Sequence, residues 1–207
     1  MYLFSRRRQI DTSQLRAALG FSVDIAHKVN QITGVEVSTY LSTFSRDFGT
    51  VLWGCAVPDL EALEAANDKL MTESTYLEAV EQSDRLFRGG TSDTVSMIVH
   101  GELTEGRRPE YVSVVQSTAA NGSLVGAMEA GIEIAQRATA ITGIETLFLS
   151  ETTNGYGSVS WVAGVDSIRD VERAQQQLAT DTGWLGLIDT HGARFTEGTT
   201  TTLYRRL

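Results

Sequence analysis

Parts of this chain are written twice. Ile32-Thr-Gly-Val-Glu-Val37 returns as Ile141-Thr-Gly-Ile-Glu-Thr146, 109 residues on. Phe48-Gly-Thr-Val-Leu-Trp-Gly-Cys-Ala-Val57 returns as Tyr156-Gly-Ser-Val-Ser-Trp-Val-Ala-Gly-Val165, shifted by 108. Phe87, Gly90, Thr91 and Thr94 meet Phe195, Gly198, Thr199 and Thr202 at the same shift of 108. Three matches in one order indicate a duplicated unit of roughly 100 residues, since a repeat at fixed spacing marks a structural unit. One deletion near residue 46 accounts for the change of shift. The join, Thr104-Glu-Gly-Arg-Arg-Pro109, is polar and turn-forming. The expected domains are therefore residues 1–105 and 106–207.

Each copy reads as the same series of elements. Tyr2 to Arg8 and Tyr111 to Ser117 are rich in aromatic and β-branched residues and predict first strands. A helix follows, capped by Asp11, Thr12 or Ser13 in the first copy and by Asn121 in the second. Leu15, Leu19, Val23, Ala26, Val29 and Ile32 form one apolar stripe at helical spacing, matched by Leu124, Met128, Ile132, Ala135, Ala138 and Ile141. Gly34 and Gly143 end these helices, where a left-handed cap favours glycine. Hairpins follow, Val35 to Val57 turning at Arg46-Asp47, and Ile144 to Val165 turning at Thr153-Asn154-Gly155. Pro58 and Asp59, or Asp166 and Ser167, open a second helical stretch. A last strand closes each copy, Thr91 to Leu103 and Thr199 to Leu207.

The order is β-α-β-β-α-β twice, the ferredoxin-like unit. On element order and duplication, over nearly all 207 residues, the chain resembles the dimeric α+β-barrel superfamily. That resemblance implies an α+β fold of two ferredoxin-like repeats packed sheet to sheet, here a pseudo-dimer within one chain. The molecule is then a monomeric pseudo-dimer or a homo-oligomer of it.

Composition narrows the partners. The formal charge is −9, and nucleic acids and anionic membranes both select basic surfaces, so neither is an expected partner. No apolar run reaches the roughly 20 residues of a membrane helix, and no targeting segment is expected at the start. Cys55 stands alone, which suits a reducing, cytoplasmic setting.

Alternation divides the third strand of each copy into two faces. Val51, Trp53, Cys55 and Val57 share one; Thr50, Leu52, Gly54 and Ala56 share the other. The second copy repeats this with Val159, Trp161, Ala163 and Val165 against Ser158, Ser160, Val162 and Gly164. The small-residue face leaves room for a pocket, while the tryptophan face reads as core. Trp53 and Trp161 are the best-matched large residues: twin core plugs, or indoles whose N–H holds a ligand atom. Tyr76 and Trp184 match at the helical bend, as packing anchors or pocket lids.

His27 falls on the exposed flank of its helix. His100, on one strand face with Glu102, and His191, before the last strand, are the histidines placed to bind something. No histidine pair has zinc spacing, so no metal site is expected. No nucleophile elbow or phosphate-binding glycine loop is present. The acidic run Asp59, Glu61, Glu64 and Asp68 fits a helix N-terminus. Arg6, Arg7 and Arg8 form the one dense cationic cluster; at most two share a face, able to bind one anion or simply to sit in solvent.

Three functional readings follow, and no motif requires catalysis. The superfamily resemblance implies a small-molecule site, as in cofactor-independent oxygenases or isomerases of aromatic or polyketide-like compounds. It also admits a haem-binding or haem-modifying protein, with His191 or His100 as axial ligand; otherwise no cofactor is expected. The third is a non-enzymatic accessory or assembly module. Trp53, Trp161, Tyr76, Trp184, His100 and His191 are the candidate ligand-binding residues. The halves differ in charge, so a ligand site is expected in one of them only.

Overall fold

The computed structural model describes residues 1–104 and 106–207. Glu105, within the expected join, lies outside the described residues. The chain divides into two compact units, one of Met1–Val95 with Arg205–Leu207, the other of Ser96–Tyr204. Both are built from the same succession of elements. In each unit the third strand pairs antiparallel with both the first and the second.

The first unit opens with β1, Tyr2–Ile10. Asp11 then accepts from the Ser13 N–H and caps a short 3-10 turn that leads into α1, Leu15–Thr33. Gly34, at φ 77°, ends α1 with its N–H on the Asn30 carbonyl, the left-handed cap that glycine adopts without a Cβ clash. Strands β2, Ser38–Thr43, and β3, Thr50–Val57, come next. They are joined by residues 44–49 rather than by the tight Arg46-Asp47 turn, because Phe44 takes a positive φ and leaves the ladder. Asp59 caps α2, Leu60–Thr72, through the Ala62 N–H, and Glu73 caps α3, Ser74–Gln82, through the Thr75 N–H. The fourth strand, β4, spans Phe87–His100, starting four residues earlier than expected. Strands β1 and β3 are antiparallel, with Phe4 opposite Cys55, Arg6 opposite Trp53 and Arg8 opposite Val51.

The second unit carries β5, Tyr111–Thr118, α4, Leu124–Thr142, β6, Thr146–Glu151, and β7, Ser158–Val165. Helices α5, Ile168–Thr180, and α6, Thr182–His191, lead to β8, Thr200–Arg206. Gly143 caps α4 as Gly34 caps α1, and Ser167 caps α5. The N-cap of α4 is Ser123, without a side-chain bond, not Asn121: the chain makes a further turn before the helix begins. Val115 stands opposite Trp161 and Ser117 opposite Val159.

The helices meet their sheets along lines of small residues. On α1 the buried positions are Ala18, Ser22, Ile25 and Ala26; on α4 they are Ala127, Ala130, Gly131, Ile134, Ala135 and Ala138. The expected stripes are thus turned by part of a residue step, and Leu15 is exposed. Close approach of helix to sheet selects small side chains for the contact line and moves large ones to its flanks. At Gly131 the approach is close, since a Cβ there would overlap the ring of the fully buried Phe148. Among the described residues, no helix is long and apolar enough to cross a membrane.

Candidate functional site

In each unit the tryptophan face of the third strand lies under the first helix. The Trp53 indole N–H donates to the Ser22 carbonyl at 2.8 Å, and the Trp161 N–H donates to the Gly131 carbonyl at 2.9 Å. Both indoles therefore spend their one donor on a helix backbone, which corrects the idea of an N–H held out for a ligand. They are core residues with an orienting hydrogen bond.

What surrounds the two tryptophans differs. Around Trp161 two rings pack closely, Phe148 at 5.4 Å and Phe195 at 5.3 Å, with Trp184 and Met128 alongside. Around Trp53 a cavity of about 380 Å³ opens. That volume is at the small end for organic-ligand sites. It lies wholly within the first unit, on the tryptophan face. The expected pocket was to lie over the small-residue face; of those residues, Gly54 contributes to the wall. Helix α1 gives the cavity Phe21, Ile25, Ala26 and Val29, and α2 gives Leu60, Leu63, Ala66 and Leu70. These residues are apolar, and the alanines leave the room.

Polar groups enter from the strands and α3, and α2 adds Glu64 and Asn67. Phe4, Arg6 and Arg8 alternate along β1 onto the cavity side, with Trp53 and Cys55 beside them on β3. Arg6 is closed into a two-point pair with Asp93 on β4: Nε donates to Oδ1 at 2.8 Å and Nη2 to Oδ2 at 2.7 Å. That hydrogen bond, together with the Tyr76 hydroxyl, raises the Arg6 pKa above its ordinary value. Arg8 is held differently. Its guanidinium lies over the Phe87 ring, 4.5 Å from the centroid, and donates to Ser83 Oγ at 3.3 Å and to Asp84 Oδ1 at 3.1 Å. The Arg8 side chain is 11% exposed, whereas that of Asp84 is 89% exposed. Arg8 Nε is buried with no hydrogen-bond partner. The Cys55 thiol is pushed up to about 11 by burial, so it remains neutral and weakly nucleophilic.

The structure brings two of the six candidates, Trp53 and Tyr76, to this cavity. Trp161 and Trp184 belong to the aromatic core of the second unit. His100 ends β4, and Gly101 then turns the chain at φ 88°, so Glu102 falls beyond the strand and does not share a face with it. His191 is the last residue of α6, buried, with Nε2 2.9 Å from Glu133 Oε2 and Nδ1 buried without a partner. Among the described residues no cluster of three or more histidine, cysteine or acidic side chains is placed to hold a metal. The residues that sequence reading undervalued are Arg6 and Arg8. Their alternation put them on one face; that this face looks into a cavity depends on where α1 to α3 pack.

No family model and no curated protein matches the sequence. Solved structures do match its fold. A proposed monooxygenase from Fusobacterium nucleatum subsp. nucleatum is 10% identical, with a TM-score of 0.73 over 100% of this chain and 92% of that one. An anthrone oxidase-like protein is 13% identical, with a TM-score of 0.68 over 100% and 91%. A mutant chlorite dismutase from Candidatus Nitrospira defluvii is 14% identical, with a TM-score of 0.52 over 98% and 91%. At these identities the likeness establishes the fold alone, which this chain shares with those proteins over nearly its whole length.

Proposed function

We propose that this is a small-molecule-binding α+β-barrel protein whose ligand occupies the cavity beside Trp53. The observation that carries this is the cavity itself, mostly apolar on its helical side, where Glu64 and Asn67 are the polar residues of α2, and lined by two arginines on its strand side. A flat, largely apolar compound suits the walls of Phe4, Phe21 and Trp53. Guanidinium groups beside it suit oxygen atoms that bear or develop negative charge. An enolisable or phenolic ring held this way is stabilised as its oxyanion, the electron-rich form needed for proton shift between carbon and oxygen or for reaction with dioxygen. The names of similar folds, a proposed monooxygenase and an anthrone oxidase-like protein, support a cofactor-independent oxygenase or isomerase of aromatic or polyketide-like compounds.

Haem fits this cavity poorly. An axial donor is required, yet no histidine lines the walls, and Cys55 is held as a neutral thiol. His100 and His191 both lie in the second unit.

The same proposal takes residues 1–105 and 106–207 as two ferredoxin-like repeats from one duplication. Its support is the pair of indole-to-helix bonds at Ser22 and Gly131, and the paired caps Gly34 and Gly143. The lone Cys55 fits a cytoplasmic setting.

Calorimetric titration with anthrone and with hydroxylated naphthalenes tests the binding. One-site binding is expected, lost in Ala66→Trp, which plugs the cavity from α2. Absence of binding across that panel, or binding that Ala66→Trp leaves intact, refutes it.

A further inference from the structure

The two arginines of the cavity are not equivalent, and the difference specifies the ligand. Arg6 has a carboxylate on a two-point bond, the geometry that satisfies a guanidinium most completely. Arg8 has one carboxylate on a single bond, and that carboxylate is exposed to solvent, where its field is screened. A guanidinium has five N–H donors. The bonds to Ser83 and Asp84 involve two of its nitrogens, and the third, Nε, is buried with no acceptor. A buried donor left without a partner is destabilising, so its persistence calls for an explanation. The Phe87 ring beneath the guanidinium fixes its plane. At the corresponding register of the second unit stands Ser117, opposite Val159 as Arg8 is opposite Val51, and the surrounding core there is packed with Phe148 and Phe195. Cation and cavity thus occur together in the first unit.

Resting on the proposed small-molecule role of this cavity, we propose that Arg8 is the anchor for an acidic group. The natural ligand is then an aromatic weak acid, bound as its monoanion, with a carboxylate, phenolate or enolate on Arg8 and its rings between Trp53 and α1. Arg6, already neutralised by Asp93, holds the β1–β4 side of the wall and does not select the charge.

Three matched probes test this on the full chain: 2-naphthoate, 2-naphthamide and 2-naphthol. The acid is expected to bind at least about tenfold more tightly than the isosteric amide, a typical gain for a charge-assisted bond. Arg8→Met is expected to remove that preference while amide binding is kept, and Arg8→Lys, which keeps the charge, to retain part of it. For 2-naphthol and the unaltered protein, affinity is expected to rise by about tenfold per pH unit below the phenol pKa and to level off above it, as for any ligand bound as its anion. This pH series needs no variant, so it stands even if Arg8 substitutions unfold the chain. Equal binding of acid and amide, both displaced by Ala66→Trp, overturns the anchor role and leaves the cavity reading intact. Failure of all three probes to bind overturns both.

Discussion

Gly131→Ala should destabilise the protein, although the same change in most helices stabilises it. Alanine exceeds glycine in helix interiors by about 1 kcal/mol, and Gly131 is an ordinary interior position of α4. Its surroundings reverse the sign. A Cβ there would lie 2.6 Å from Phe148 Cε1 and nearer still to Cε2 and Cζ. Phe148 is fully buried, and its ring is backed by Trp161 at 5.4 Å, so it has nowhere to turn. Moving α4 outward would stretch the 2.9 Å bond from Trp161 to the Gly131 carbonyl. Overpacking of this kind costs roughly 1–3 kcal/mol, and the severity of the overlap places it at the upper end. After the helix-propensity gain, a net loss of about 1–2 kcal/mol is expected. Urea unfolding followed by tryptophan fluorescence measures it. Phe148→Leu in the same chain should recover part of the loss, because the two changes share one contact. A stability equal to or above that of the unaltered protein would refute the close-approach account of this helix.

Acid should act through Asp11. Its carboxyl is lowered to about 2, chiefly by the hydrogen bond from Arg88 and then by the Ser13 N–H. A depressed folded pKa gives stability that is present above the unfolded value and is lost as pH falls through about 2. Arg88→Gln should return the Asp11 pKa toward its ordinary range, read by NMR titration; an unchanged value would remove Arg88 as the cause. Cys55 should react slowly with thiol reagents at neutral pH, and faster as pH approaches about 11. Because its folded pKa is raised, its contribution to stability is full below the unfolded value and is lost as pH rises through about 11. A bound cavity ligand should slow the modification further; rapid reaction at neutral pH, indifferent to ligand, would place the thiol outside the cavity.

Much of the architecture was legible because it rests on local rules. Gly34 and Gly143 stop helices for a steric reason that any sequence shows, and Asp59 and Ser167 cap by hydrogen bonds three residues away. The element order and the two tryptophan faces follow from periodicity alone. Tertiary approach was less visible. The contact lines of α1 and α4 run through alanine, serine and glycine, which carry little hydrophobic signal, so the stripe of larger residues was the misleading guide. The site was harder still. Pattern places Arg6 and Arg8 together, and it also places Val115 and Ser117 together. Whether a helix covers such a pair tightly, as Phe148 ensures in one unit, or leaves about 380 Å³, as beside Trp53, depends on packing between elements far apart in sequence.

The most direct measurement is a crystal structure of the protein with 2-naphthoate bound. The expected result is ring density between Trp53 and α1, with the carboxylate within hydrogen-bonding distance of the Arg8 guanidinium. A structure in which side chains fill that cavity, or in which the naphthoate binds elsewhere while the cavity stays free, would contradict the account.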